Sequence, residues 1–183
     1  VTQAEWTAVM KTTPFWFHQD GKGASDVKGL DTSRSPADTA SWDDAQEFLK
    51  AVNKRRDGAA KAFGAAGRFA LPHEDRWEYA CRGGLGNQQP FYWGNALNGD
   101  KANCNGEEPY GTDVKGRYLF RPSEVGSYEK AAPHPWKLCD MAGNVWQWCD
   151  NKYSSENDKR VLRGGAWGNY SWDCRTAHRS RDW

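Results

Sequence analysis

Five cysteines and four histidines are the side chains here that could carry redox, metal or nucleophilic chemistry. Cys81, Cys104, Cys139, Cys149 and Cys174 form no C-x-x-C pair, so the spacing of a structural zinc site is missing. Their odd number leaves at least one thiol free or paired outside the chain, and the compartment stays open. His18, His73, His134 and His178 are scattered and form no H-x-x-x-H pair. There is no G-x-S-x-G elbow, Walker A loop or dinucleotide fingerprint. His73 reads as a weak helix cap or surface group, and His134, between two prolines, as a loop residue.

Binding chemistry is better represented. From Trp167 the chain reads WGNYSWDCRTAHRSRDW. Its residues mix Tyr, Trp and Arg with Ser, Asn and Asp, and follow neither a strand nor a helix core period. Interfaces favour this mix, because stiff aromatics bury area at little entropic cost while small polar groups adapt. A solvated polar tail is the competing reading. As a binding surface it would use Tyr170, Trp172, Arg181 and Trp183 as anchors and Asn169, Asp173, His178 and Ser180 as polar specifiers.

With 183 residues the chain suits one domain, 1–183, and can bury a core. Lys+Arg is 25 against Asp+Glu 24, a net charge of +1, which argues against a general nucleic-acid binder. Mean hydropathy is −0.95, and no run approaches the roughly 18 apolar residues of a membrane span. Eleven Trp, seven Tyr and seven Phe argue against disorder.

The elements that would position the tail are short. Thr2 and Glu5 have capping-box spacing ahead of Trp6, Val9 and Met10, which predicts a helix. Residues 11–40 read as a loop anchored by Phe15, Trp16 and Phe17. Ser41 and Asp44 cap a second helix with the stripe Trp42, Ala45, Phe48, Leu49 and Val52, basic at its end and stopped at Gly58. Residues 57–67 read as a linker. FALPHEDRWEYACRGG reads as a short strand, then a helix carrying Trp77, Tyr79 and Ala80, with Gly83-Gly84 as its stop. Short strands are expected at 90–94, 117–120, Val145–Cys149 and Val161–Arg163. The pattern is α+β.

In order along the chain, VTQAEWTAVM, ASWDDAQEFLKAVN, LPHEDRWEYACRGG, PFYWGN, VGSY, LCDMAGNVWQWC and RVLRGGAW resemble the formylglycine-generating-enzyme (sulfatase-modifying factor) family. That resemblance implies a C-type-lectin-like fold, loop-rich, with short antiparallel strands and two or three helices. In the family, a strand before VTQ and a Pro-rich turn with a "GFR" strand after the tail close the sheet, and neither motif occurs in 1–183.

Family members that oxidise a peptide cysteine resemble GGSY-x-C-H-x-x-Y-C-x-R, where two cysteines hold copper(I), a metal suited to soft thiolates. Counted from Gly164-Gly165, the second cysteine is Cys174, the first is Asn169 and the histidine is Tyr170. The dithiol is therefore broken. Copper and a catalytic role for Cys174 belong only to an oxidase alternative. The resemblance places Cys149 near the tail, and Cys149 with Cys174 reads either as a disulfide or as two buried thiols. It also implies structural calcium, with Asn103 and Asp113 as ligands. A second calcium site at Asn144 is weakened because Gln147 stands where a glutamate is usual.

The tail also resembles the variable proteins of diversity-generating retroelements, whose diversified residues lie between frame residues. Here the frame would be Trp167, Cys174, Arg175, Ala177 and Arg179. The interleaved surface would include Gly168, Ser171 and Asp182 besides the eight residues named above. The reading is a non-catalytic binding module for a protein or other macromolecule, requiring no cofactor, not inserted in a membrane, and suited to a cell-surface or extracytoplasmic setting.

Overall fold

In a computed structural model, residues 1–55 and 67–183 are described. Helices α1 (Gln3–Met10), α2 (Trp42–Lys54) and α3 (Glu74–Cys81) precede strands β1 (Gln147–Lys152), β2 (Arg160–Arg163) and β3 (Ser180–Asp182). The strands form one antiparallel sheet in the order β1-β2-β3. This is the expected α+β architecture.

Local chemistry explains where the helices begin. Thr2 and Ser41 each cap a helix through a reciprocal capping box, with Glu5 and Asp44 returning the bond. His73 caps α3, its Nδ1 accepting the Asp75 N–H at 3.3 Å. Beyond α3, Gly83 (φ 72°) and Gly84 (φ 106°) take the left-handed turn that ends it. The α2 stripe is half-buried rather than buried, and Phe48 stacks on Trp6 of α1 at 5.2 Å. The expected stop at Gly58 and most of the 57–67 linker lie outside the described residues.

Several expected strands are absent for physical reasons. Residues 90–94 form a tight turn closed by a Phe91–Gly94 bridge. Phe69 pairs its backbone with the Asn53 side chain instead of a neighbouring strand. Phe120 has φ 57°, which breaks extended backbone at 117–120. The strand expected at Val145–Cys149 starts later, at Gln147, because Asn144 sits at φ 66° and the preceding Gly143 at 71°. The loop at 11–40 holds a 3-10 turn at Ala24–Val27, and Trp16 is half exposed while Phe15 and Phe17 are buried.

Two apolar clusters fill the interior. Trp77, Cys81, Met141, Cys149 and Val161 join α3 to the sheet. Phe91, Leu97, Ala102, Cys104, Ala142 and Cys174 lie under the long loops. The fold therefore gains its core from loops packed on a small sheet rather than from long regular elements.

Candidate functional site

The tail runs from the end of β2 through a 3-10 turn (Ser171–Cys174) to β3. Gly165 (φ 76°) starts it, and a Cβ there would lie 2.6 Å from Cys174 Sγ. Close approach and backbone conformation both demand glycine. Gly165→Ala is expected to destabilise the chain by about 2 kcal/mol, measurable as a lower midpoint in urea.

Three interleaved residues of the tail face inward. Ser171, Cys174 and Thr176 are 0 to 1% exposed. Ser171 Oγ meets Cys104 Sγ at 3.4 Å, and the Thr176 N–H donates to Pro90 O at 2.8 Å. Ser171 was expected on the surface and is instead part of the frame. Thr176 was not expected in the frame, whereas Ala177, which was, is exposed. Trp167 donates its N–H to Asn144 O and packs edge-on against Phe17 at 5.3 Å. Arg175 Nε donates to Trp172 O at 2.7 Å, and Arg179 holds Glu74.

Between these anchors, Tyr170 and Trp172 are each 42% exposed and meet edge-on at 4.7 Å. Asn169 braces its own turn: Oδ1 accepts the Ala166 N–H at 3.1 Å and Nδ2 reaches Asp173 Oδ2 at 3.5 Å. The other Asp173 oxygen lies 3.5 Å from His178 Nε2. Burial lowers the His178 pKa, against the opposing pull of Asp173. His178 also lies 5.9 Å from the Trp146 ring. These five predicted residues form one connected patch.

Ser180, Arg181 and Trp183 form a second group. Ser180 and Arg181 belong to β3, opposite Leu162 and Val161. Arg181 lies over Tyr153 at 4.6 Å, and Trp183 is 67% exposed with Lys159 Nζ 4.8 Å from its ring. Sequence reasoning missed two neighbours of the tail, Trp146 and Tyr118, and Phe120 beside Tyr118. Tyr118 lies 6.3 Å from Trp167 and stacks on Phe120. Their signal was an aromatic pair in RYLF, hidden by reading it as a strand.

The pair expected to hold structural calcium is Asn103 and Asp113. Asn103 is buried and spends its amide on Arg121 O and Asn144 Oδ1, while Asp113 is exposed. Among the described residues no group of three or more His, Cys, Asp or Glu is placed to hold a metal ion.

All five cysteines are thiols. Cys149 and Cys174 lie in different core clusters, which decides between the two open readings for buried thiols and against the disulfide. The thiol beside Cys174 is Cys104. Their mutual hydrogen bond lowers the Cys104 pKa and, with burial, raises that of Cys174 well above the ordinary thiol range. Burial also pushes Cys149 and Cys81 up to about 12. The family's copper dithiolate does not fit these residues: position 169 offers an amide tied to its own turn, and Cys104 and Cys174 are both closed to a peptide substrate. Under native conditions a bulky thiol reagent is expected to label Cys139 alone, slowly, because the Glu129 carboxylate holds its pKa up at about 11. Mass spectrometry of the labelled chain would count one adduct, rising to five on unfolding.

The model of the "Sulfatase-modifying factor enzyme 1-like domain" matches residues 1–183. The chain belongs to this family. It is 30% identical over 169 residues to bovine "Inactive C-alpha-formylglycine-generating enzyme 2", covering 91% of this chain and 48% of that protein. With the formylglycine-generating enzyme of Streptomyces coelicolor it shares 30% identity over 180 residues, 84% of this chain and 50% of the enzyme. The chain thus spans about half the length of these curated relatives. Among solved structures, Treponema denticola variable protein 1 superposes with a TM-score of 0.73 at 22% identity, covering 100% of this chain and 76% of that one. As a member of the sulfatase-modifying factor family the chain has the C-type-lectin-like fold, and its relatives include both active and inactive proteins by name.

Proposed function

We propose that this sulfatase-modifying-factor domain is a non-catalytic binding module that takes a protein or other macromolecular ligand on its tail. The observation that carries this reading is the interleaving of buried and exposed residues in the tail. Ser171, Cys174 and Thr176 are locked inside, while Tyr170 and Trp172 stand half exposed on the turn they anchor. Exposed aromatics on rigid backbone lose little entropy when they are covered, which is the property of a paratope. The likeness to a protein titled variable protein 1 and to relatives named inactive supports the same reading.

The test is a photo-reactive phenylalanine at position 172, with the same group at Leu85, which is 92% exposed elsewhere. A ligand captured at 172 and not at 85 supports the proposal. Equal capture at both sites counts against it. The oxidase alternative is tested separately by incubating the copper-treated chain with a Cys-x-Pro-x-Arg peptide. The binding reading expects no conversion of cysteine to aldehyde by mass spectrometry.

A further inference from the structure

The segment Arg117–Arg121 has two faces. The carbonyls of Arg117 and Arg121 hold neighbouring loops, but the Phe120 ring and the two guanidinium groups are not explained by folding. Phe120 adopts φ 57°, a conformation strained for a bulky side chain, yet its ring is 61% exposed. The strain is not offset by burial of the ring. Instead the ring stacks on Tyr118 at 3.8 Å, and Tyr118 lies beside the frame residue Trp167. A Cβ at Gly168 would be 3.8 Å from the Tyr118 hydroxyl. Tyr118 thus borders the tail at Trp167 and Gly168, and Phe120 stacks on Tyr118.

On the other face, Arg117, Leu119 and Arg121 line a groove of about 540 Å³ with Asp100, Ser123 and Tyr128. Glu124, at the same groove, is bound by Arg34. Arg121 donates to Pro122 O, and among the described residues neither Arg117 nor Arg121 has a carboxylate within ion-pair reach. Two unpaired guanidinium groups beside a cavity are donors for a carboxylate, which Arg can bind bidentately.

We propose that Arg117–Arg121 is a second binding element, in which Tyr118 and Phe120 extend the tail's aromatic surface and Arg117 and Arg121 take a carboxylate, so that the ligand is a protein segment alternating acidic and aromatic residues. This inference rests on the tail being a binding surface. Its two faces call for a strand-like ligand, because alternate residues of an extended peptide point to opposite sides.

The experiment is an NMR titration of the whole chain with two probes, acetyl-Glu-Phe-Glu-Phe-Glu-amide and acetyl-Gln-Phe-Gln-Phe-Gln-amide. The acidic peptide is expected to shift Arg117, Arg121, Phe120, Tyr170 and Trp172 together. It should bind about tenfold more tightly than its neutral counterpart. Replacing both arginines (Arg117→Gln with Arg121→Gln) should abolish that preference. Phe120→Asn should weaken both peptides alike while the melting temperature holds or rises, since Asn tolerates positive φ. Equal affinity for the two peptides, or no shifts at all, would overturn the proposal. Shifts confined to Tyr170 and Trp172 would overturn it and leave the tail surface standing. Shifts confined to 117–121 would overturn the joined surface and count against the tail reading too.

Discussion

Arg163→Met is expected to destabilise the chain by about 3 to 5 kcal/mol, the usual cost of breaking a buried ion pair from one side. Arg163 is 3% exposed and sits at the centre of the charge network. One guanidinium nitrogen binds Glu74 at 2.9 Å and Glu78 at 3.1 Å, and the other donates to the carbonyls of Thr176 and His178 at 3.2 Å. Glu74 also takes Arg179 and the amide of Asn151. The variant therefore leaves Glu74 with Arg179 and Asn151, and Glu78 with Arg82, removes the buried guanidinium that joins the two carboxylates, and frees the backbone on which His178 sits. For a chain of this size the loss corresponds to a melting temperature lower by roughly 6 to 20 °C.

The same network sets an acid limit. Burial alone would raise the Glu74 pKa, but the bonds from Arg179 and Asn151 and the charge of Arg163 outweigh it and hold the group below 4.5. A carboxylate with a lowered folded pKa adds stability above its unfolded pKa, and that stability is lost as pH falls through the folded value. Wild type should thus lose stability steeply below about pH 4.5, and Arg163→Met should show a shallower acid slope in urea melts.

Trp172→Ala is expected to cost about 2 kcal/mol or more in affinity, at least roughly 30-fold, for the ligand captured at that position. Its ring is 42% exposed and touches Tyr170, while its carbonyl, which the substitution leaves in place, receives Arg175. Stability should therefore change by no more than about 0.5 kcal/mol. Calorimetry of binding beside thermal melts separates the two effects. A large loss of stability with unchanged affinity would make Trp172 a packing residue.

The helices were legible because their caps are local. Thr2 with Glu5 and Ser41 with Asp44 act across three residues, and neither needs the rest of the fold. β2 was legible for a similar reason, as a short apolar run ahead of Gly164-Gly165. What failed was everything decided at long range. Ser171 looks polar and exposed in sequence but is buried against Cys104, far away in the chain, whose Sγ meets its hydroxyl. Cys149 and Cys174 stayed open between a disulfide and two buried thiols because the loop carrying Cys104 had no periodicity to place it. RYLF looked like a strand because nothing local announces a phenylalanine at positive φ. β3 was missed because Ser180–Asp182 has no strand signal of its own and is ordered by pairing with β2. Within the site, the anchors Tyr170 and Trp172 were legible from residue type, while Tyr118 beside Trp167 and Trp146 beside His178 needed the fold.

The central claim is that the tail is a display surface on a fixed frame, and randomisation tests it most directly. Tyr170, Trp172, His178, Arg181 and Trp183 would be varied together in a yeast-displayed library, beside a second library at Ser171, Cys174 and Thr176. Trypsin resistance would report folding, and sorting against a test protein such as lysozyme would report binding. The account predicts that most members of the first library stay folded, that binders emerge from it, and that the second library mostly unfolds. Collapse of the first library to the level of the second would contradict it.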